Sequence, residues 1–250
     1  MTSNILMLNG VMNMKKIVCK DYDEMSLTAA REIAQFIINK PDCVLGLPTG
    51  CTPIGTYRML VDMYSQGQVD FSGVKTFNLD EYYPIDKNNK NSYYYFMQEN
   101  LFKHVNIKPE NIHIPDGSTS DCKAECENYD KMIEESGGID LQVLGVGRNG
   151  HIGFNEPDKE LICKTHMVEL TPDTIEVNSK LFDDETQMPR HALTMGMESI
   201  MKARKIILLI SGESKADILD AIFSGKITTQ IPATFLQLHP DVTVITDIDK

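Results

Sequence analysis

Short apolar runs that recur between amphipathic stretches constrain the fold of this chain more than any other feature. Residues 43–47, 205–211 and 242–246 are strand-length runs dominated by apolar and β-branched side chains, so both faces of such strands must be buried. Between them lie stretches with apolar residues at helical spacing, such as residues 26–39. Strands that alternate with helices in this way predict an α/β fold, with a single-domain, doubly wound, mainly parallel sheet that is Rossmann-like and carries helices on both faces.

The remaining predicted elements follow the same alternation. Further strands are predicted at residues 16–19, 74–78, 140–144 and 192–195, and an extended segment at 164–170. Helices are predicted at residues 54–66, 92–103, 121–135, 172–182, 197–203, 214–224 and 231–238. No internal repeat or linker interrupts the pattern, so residues 14–250 are predicted to form one domain, preceded by an irregular extension over residues 1–13.

Composition and charge indicate which binding partners and which cellular location to expect. The chain has 250 residues and a formal net charge of −12, which argues against nucleic acid or an anionic membrane as the main partner. It has neither the apolar run of about 18 residues that a membrane-spanning helix needs nor the apolar segment of a signal peptide, so a cytoplasmic location is predicted. Its six cysteines lack zinc or redox spacing, and reduced thiols without a metal site are expected.

Polar loops follow four of the strands in this pattern, at residues 49–52, 80–83, 149–156 and 211–215. The carboxyl ends of parallel strands lie on one edge of a doubly wound sheet, and ligands bind in the crevice outside that edge. Polar and titratable groups on such loops are typical of binding and catalytic sites. We therefore expect the four loops to converge on one site.

The stretch 145–157 is the richest of these regions in chemical groups. It holds four glycines within nine positions, so its backbone can turn sharply and approach a ligand closely. It also carries an amide, Asn149, an imidazole, His151, and a carboxylate, Glu156. A histidine transfers protons near neutral pH, and a carboxylate can orient it and stabilise its charged form. The alternative is a glycine loop with incidental polar residues.

Asp80 and Glu81 follow an apolar strand and are candidates for a general base. Neighbouring residues on an extended segment point to opposite sides, so only one of the two is expected to face a ligand. The alternative is an ordinary charged turn.

Two further loops have the form of anion sites. Thr49, Gly50, Cys51 and Thr52 precede a predicted helix, and a glycine turn at a helix start offers free N–H groups to a phosphate. Either this loop binds an anion, or one of its threonines caps the helix. Lys215 stands in the predicted first turn of helix 214–224 and is either an anion ligand or a solvated surface lysine.

Four segments together resemble the glucosamine-6-phosphate deaminase family, in the same order and over nearly the whole chain from about Met14. They are residues 46–53 (Gly-Leu-Pro-Thr-Gly-Cys-Thr-Pro), 77–82 (Phe-Asn-Leu-Asp-Glu-Tyr), 145–157 and 236–240 (Leu-Gln-Leu-His-Pro). The resemblance implies conversion of glucosamine 6-phosphate and water to fructose 6-phosphate and ammonia, without cofactor or metal. The implied partner is a small-molecule sugar phosphate.

The resemblance also implies roles for individual residues. Asp80 would move a proton between C2 and C1, His151 would open the pyranose ring, and Asn149 and Glu156 would assist it. The phosphate-binding residues that it implies are Thr49, Gly50, Cys51, Thr52, Lys180 and Lys215. Lys180 stands where many members have an arginine, and Cys51 where a glycine or serine is usual.

Departures from the family pattern bear on regulation. The positions that bind the N-acetylglucosamine 6-phosphate activator in allosteric members hold Lys159, His166, Val168 and Glu169, where serine, arginine, lysine and threonine are expected. The resemblance therefore implies no response to that activator, and a monomer or small homo-oligomer.

The alternatives to the implied function are a galactosamine-6-phosphate deaminase, a 6-phosphogluconolactonase of similar architecture, and a non-catalytic sugar-phosphate sensor. The His-Ile-Gly-Phe-Asn-Glu-Pro ending of stretch 145–157 argues against the lactonase. The acidic net charge argues against a DNA-binding sensor.

Overall fold

A computed structural model describes residues 14–179, 182, 184 and 187–249, so the predicted extension over residues 1–13 lies outside the described residues. The strands, numbered in chain order, are β1 (Met14–Val18), β2 (Val44–Leu47), β3 (Lys75–Asn78), β4 (Asp80–Tyr83), β5 (Ile112–His113), β6 (Leu141–Gly145), β7 (His166–Glu169), β8 (His191–Thr194), β9 (Lys205–Ile210) and β10 (Val242–Thr246). The α-helices are α1 (Tyr22–Asn39), α2 (Ile54–Ser65), α3 (Tyr93–Asn100), α4 (Cys122–Glu135), α5 (Pro172–Ser179), α6 (Met197–Met201) and α7 (Ala216–Ile222). The predicted helix 231–238 is a 3₁₀ helix, Pro232–Leu238.

Seven strands form one sheet in the order β1-β10-β9-β6-β2-β3-β5, and all neighbours run parallel. Side chains of β9 alternate between its faces: Ile206 and Leu208 lie in one apolar cluster, and Ile207 and Leu209 in another. The first cluster includes residues of α4, α6 and α7, and the second includes residues of α1, α2 and α3. The predicted doubly wound parallel sheet is confirmed, because strands that are apolar on both faces need a layer of helices on each side.

The sequence pattern does not predict the second sheet, an antiparallel one of three strands in the order β4-β8-β7. Residues 80–83, predicted as a loop, form β4, with Asp80 opposite Thr194 of β8. The loop prediction is wrong because the partner of β4 lies far along the chain, and a short polar strand has no local signal of its own. A third apolar cluster, which includes Tyr82, Phe154 and Leu170, packs against this sheet.

The described residues contain no helix that is both long enough and apolar enough to cross a membrane. The six cysteines are all free thiols, as their spacing predicts.

Candidate active site

Four polar segments meet at the carboxyl edge of the central sheet. They follow β9, β6, β2 and β3, which are consecutive neighbours in the sheet and run parallel. The winding direction reverses between β6 and β2, where an open α/β sheet leaves a crevice. The predicted convergence is confirmed, except that Asp80 begins a strand instead of lying in a loop.

Glu156 is the centre of a polar cluster in the loop after β6. The Asn149 side-chain amide donates to Glu156 Oε2 at 2.6 Å, and the Thr174 hydroxyl donates to Oε1 at 2.6 Å. His151 Nδ1 lies 3.1 Å from Oε2, at ion-pair distance. Three side chains therefore converge on the two carboxylate oxygens of Glu156.

These contacts hold Glu156 as an anion. Burial by itself raises the pKa of Glu156, because a buried charge loses its hydration. The contacts with His151, Thr174 and Asn149 outweigh burial and lower the pKa to about 2. A carboxylate that stays charged at neutral pH can orient the imidazole and stabilise its protonated form.

Two glycines shape this loop. A Cβ on Gly147 would lie 2.2 Å from the His151 ring, so only a glycine lets the imidazole lie against the turn. Gly153 has a φ of +58°, and a Cβ there would lie 3.0 Å from Thr194 Oγ1 and 3.3 Å from Asp80 Oδ2. The loop after β6 therefore reaches Asp80, and the predicted catalytic residues of two different strand ends lie in one region.

Asp80 is a buried carboxyl group without a neutralising cation among the described residues. It is 5% exposed. Burial and the charge of Glu81 raise the pKa of Asp80 to about 8, against a smaller opposing effect of Thr49, and no described lysine or arginine offsets its charge. A carboxyl group with such a pKa can exchange a proton near neutral pH.

Both carboxylate oxygens of Glu81 accept hydrogen bonds from the start of α3. Its Oε1 accepts the Tyr93 N–H at 2.8 Å and its Oε2 accepts the Tyr94 N–H at 2.9 Å. Burial raises the pKa of Glu81 to about 7, although these N–H groups oppose the shift. The arrangement fits the prediction that only one of the two adjacent carboxylates is available to a ligand, because Glu81 serves the first turn of a helix.

The loop after β2 leads directly into α2. Its N-cap residue, Pro53, makes no side-chain hydrogen bond, and the Gly55 N–H in the first turn donates to the Tyr22 hydroxyl at 2.9 Å, so the alternative in which Thr49 or Thr52 caps this helix is wrong. Gly50 has a φ of +92° with open space beside it, and Cys51 is exposed. The Tyr22 hydroxyl donates to the Thr52 carbonyl at 3.1 Å and holds the loop in place. Free N–H groups at a helix start are suited to a phosphate.

Lys215 lies near this loop, after β9, which β6 separates from β2 in the sheet. The predicted helix 214–224 is present, but it begins with a 3₁₀ turn, Glu213–Lys215, and α7 follows from Ala216. Burial and the positive charge of Arg148 lower the pKa of Lys215, while Cys51 opposes the shift. Among the residues that the structure describes, neither cation has a carboxylate at ion-pair distance. Two such cations close together favour an anion between them.

Two groups of this site, Arg148 and Thr174, are not among the residues predicted from the sequence. Arg148 lies inside the stretch 145–157, and a basic residue between glycines is a signal that could have identified it. Thr174 belongs to no motif, and its contact with Glu156 exists only in the folded chain. Lys180, predicted to bind phosphate, lies outside the described residues.

The groups that the structure brings together are acids, bases and cations. Within residues 14–179, 182, 184 and 187–249, no cluster of three or more histidine, cysteine, aspartate or glutamate side chains is suited to hold a metal ion.

Comparison with known proteins identifies the family. Residues 21–245 match the family described as glucosamine-6-phosphate isomerases/6-phosphogluconolactonase. The chain is 53% identical over 234 residues to a glucosamine-6-phosphate deaminase of Halothermothrix orenii, covering 94% of this chain and 97% of that one. It is 54% identical over 234 residues to the glucosamine-6-phosphate deaminase of Clostridioides difficile, covering 94% of each.

Solved structures show the same relationship. The fold is similar to that of a monomeric glucosamine-6-phosphate deaminase, with a TM-score of 0.90 and 42% identity over 94% of this chain and 97% of that one. A 6-phosphogluconolactonase from Thermotoga maritima gives a TM-score of 0.71 at 18% identity, over 93% of this chain and 98% of that one, and this likeness concerns the fold alone. The chain therefore belongs to the glucosamine-6-phosphate isomerase/6-phosphogluconolactonase family, and within it to the glucosamine-6-phosphate deaminases.

Proposed function

We propose that this protein converts glucosamine 6-phosphate and water to fructose 6-phosphate and ammonia. The observation that carries the proposal is the meeting of two acid–base groups with opposite pKa shifts. Asp80, whose pKa is raised to about 8, contacts the loop in which Glu156, whose pKa is lowered to about 2, lies beside His151. Isomerisation of a ring sugar needs one group to open the ring and another to move a proton between carbons.

Ring opening is assigned to His151, which exchanges a proton with the ring oxygen of the substrate. The Glu156 carboxylate, 3.1 Å from the imidazole, stabilises the ring when it is protonated. Asn149 supports this pair, because its side-chain NH₂ donates to Glu156 at 2.6 Å and its side-chain oxygen accepts the backbone N–H of His151 at 3.2 Å.

Proton transfer between carbons is assigned to Asp80. It takes the proton from C2 of the open-chain aldehyde and returns a proton at C1, while the nitrogen loses a proton and the aldehyde oxygen O1 gains one, which leaves a hydroxymethyl group at C1 and an imine at C2. Water adds to the imine and ammonia leaves. The base must be ionised to act, and the protonated amine of the substrate, placed beside Asp80, lowers its pKa from the raised value of about 8.

The phosphate is assigned to the loop formed by Thr49, Gly50, Cys51 and Thr52, with Lys215 and Arg148 as cations and Lys180 as a further ligand. The start of α2 supports this assignment, because neither threonine of the loop caps it and N–H groups at a helix start suit a phosphate. The lowered pKa of Lys215, caused by burial and by the neighbouring Arg148, supports it as well, because a dianion between the two would relieve their repulsion.

The proposal includes a cytoplasmic enzyme that needs no cofactor or metal and acts as a monomer or a small homo-oligomer. The similar fold of a monomeric deaminase supports a low oligomeric state. The replaced activator positions, Lys159, His166, Val168 and Glu169, support kinetics that do not respond to N-acetylglucosamine 6-phosphate.

The purified wild type tests the proposal, with ammonia release measured from glucosamine 6-phosphate and from galactosamine 6-phosphate, and ring hydrolysis measured separately with 6-phosphogluconolactone. The highest kcat/KM is expected for glucosamine 6-phosphate, with one fructose 6-phosphate formed per ammonia. Fast lactone hydrolysis without ammonia release would assign the lactonase alternative instead. A preference for galactosamine 6-phosphate would assign the alternative that differs in the sugar epimer.

A further inference from the structure

One hydroxyl group ties helix α5 to Glu156. Thr174 Oγ1 donates to Glu156 Oε1 at 2.6 Å, and the two residues are only 7% and 9% exposed, so water does not readily replace this hydrogen bond. The other carboxylate oxygen, Oε2, is in contact with Asn149 and His151. A carboxylate is rigid and planar, so the donor on Oε1 also determines how Oε2 faces the imidazole.

The Thr174 hydroxyl is itself held by the start of α5. The Thr171 hydroxyl donates to Thr174 Oγ1 at 3.1 Å and accepts the Thr174 N–H at 3.3 Å. The donors therefore run in one direction, from Thr171 through Thr174 to the Glu156 carboxylate. An ionised acceptor at the end of such a chain polarises it and strengthens each bond.

Two other side chains of α5 contact the region next to the antiparallel sheet. Ile175 packs against the apolar cluster that includes Tyr82 and Phe154, and the Asn178 side chain hydrogen-bonds to Tyr82. Along another side of the helix runs an open groove of about 680 Å³, lined in part by Glu169, Ser179 and Arg190. Among the described contacts of α5, the hydrogen bond from Thr174 is the one that reaches Glu156.

We propose that Thr174 is a positioning residue that couples the position of α5 to the geometry of the Glu156–His151 pair. Ring opening then requires α5 to lie where Thr174 can donate to Glu156. The proposal rests on the function proposed above, in which Glu156 supports His151. Without the hydroxyl, the carboxylate rotates more freely and aligns less well with the imidazole. Because Thr174 acts through Glu156 and not through the phosphate loop, the loss is expected in kcat and not in KM.

Three variants separate this role from a merely structural one. Thr174→Val keeps the shape of the side chain but removes the donor, and Thr174→Ser keeps the donor. Thr165→Val is the matched control: Thr165 Oγ1 donates to Asp130 Oδ1 at 2.5 Å and Thr165 is 6% exposed, so it loses the same kind of bond outside the site. If Thr174→Val does not fold, Thr174→Ala replaces it.

Steady-state kinetics with glucosamine 6-phosphate give the first test. Removing a hydrogen bond to a charged group is expected to lower kcat of Thr174→Val about 10- to 100-fold, with KM changed less than about threefold. Thr174→Ser is expected to restore kcat to within about threefold of the wild type, and Thr165→Val to stay within about twofold. A Thr174→Val enzyme as fast as the wild type, or a Thr174→Ser enzyme as slow as Thr174→Val, overturns the proposal.

The ¹⁵N resonances of the His151 imidazole give a second test that needs no turnover. They are assigned by their disappearance in His151→Gln and are expected to shift in Thr174→Val but not in Thr165→Val. Unchanged His151 resonances in Thr174→Val overturn the proposal. Inactivity of the wild type towards glucosamine 6-phosphate would instead overturn the proposed function, and the resonances would still decide the role of Thr174.

Discussion

Two buried aspartates at opposite ends of the central sheet differ in their partners. Asp140, at the amino end of β6, accepts the Val44 N–H at 2.8 Å and lies 2.9 Å from Lys40 Nζ. Arg204 contacts its other oxygen at 2.5 Å. Burial by itself raises the pKa of Asp140, but these partners outweigh burial and lower it. Asp80, beyond the carboxyl end of β3, has no such partners among the described cations, and burial raises its pKa to about 8.

The charge of Asp140 has a structural role, whereas the charge of Asp80 is available to a ligand. At the amino end, Asp140 is neutralised by the fold itself, so its burial stabilises the junction of β2 and β6. At the carboxyl end, Asp80 lacks a cation, while Lys215 and Arg148 lack a carboxylate at ion-pair distance among the described residues. Charges of both signs that the fold leaves unpaired are suited to a ligand that carries an amine and a phosphate.

The largest effect is expected from Asp80→Asn, which keeps the size of the side chain but removes the base. The kcat for ammonia release is expected to fall about 10²–10⁴-fold, the usual contribution of one general base. The Tm is expected not to fall, because the variant no longer buries an unpaired acid. Near-normal turnover would contradict the assignment of Asp80 as the base. It would also show that Asp80 and Asp140 do not differ in their importance for catalysis.

Asp140→Asn is expected to have the opposite profile, with a loss of stability and little loss of activity. Urea unfolding should show a decrease of about 2–3 kcal/mol, because charge-assisted hydrogen bonds to Lys40 and Arg204 are lost. The kcat of the folded enzyme should stay within about twofold of the wild type, as is usual for changes away from a site.

The control for Asp140→Asn is Asp42→Asn. The Asp42 side chain also pairs with Lys40, at 3.3 Å, but is 82% exposed, so a loss below about 1 kcal/mol is expected. Equal losses in the two variants would show that the buried network around Asp140 is not what stabilises this end of the sheet.

The pH dependence of stability should also differ between the two ends. The pKa of Asp80 in the folded chain lies above its ordinary value of 3.8, so its contribution to stability is present below that value and is lost as pH rises through about 8. Relative to Asp80→Asn, the wild type should therefore lose up to about 1.4 kcal/mol of unfolding free energy per pH unit between pH 6 and pH 8.

The stability that Asp140 contributes depends on pH in the opposite direction. Its pKa is lowered in the folded chain, so its contribution is present above the ordinary value and is lost as pH falls towards the folded value. Urea unfolding at several pH values measures both slopes. Parallel curves for the wild type and Asp80→Asn would show that Asp80 is not buried as an acid.

The smallest effects are expected from the unpaired cations at the carboxyl end. Lys215→Met should raise KM for glucosamine 6-phosphate about 10-fold, and Arg148→Met about threefold since Arg148 is more exposed, with kcat nearly unchanged in both. Lys205→Met is the control, because Lys205 lies at the amino end of β9 and pairs with Asp241 at 3.3 Å. Equal KM values for the Lys215 and Lys205 variants would contradict the assignment of the phosphate site.

The strands of the central sheet could be predicted because their signal is local: a run that is apolar on both faces needs two covering layers wherever it lies. β4 could not, since the sequence Asp-Glu-Tyr-Tyr becomes a strand only by pairing with β8. The pattern predicts a helix from residue 214, but it does not show that the first turn, Glu213–Lys215, is 3₁₀.

The sequence by itself determined which chemical groups stand at the ends of the strands, namely Asp80, Asn149, His151, Glu156 and the loop 49–52. Only the tertiary structure decided their charge states and partners: Asp80 without a cation among the described residues, Glu81 hydrogen-bonded to the start of α3, and Glu156 hydrogen-bonded to Thr174. The physical reason is that a pKa depends on burial and on charges and donors a few ångströms away. Those neighbours come from distant parts of the chain, and no local spacing records them.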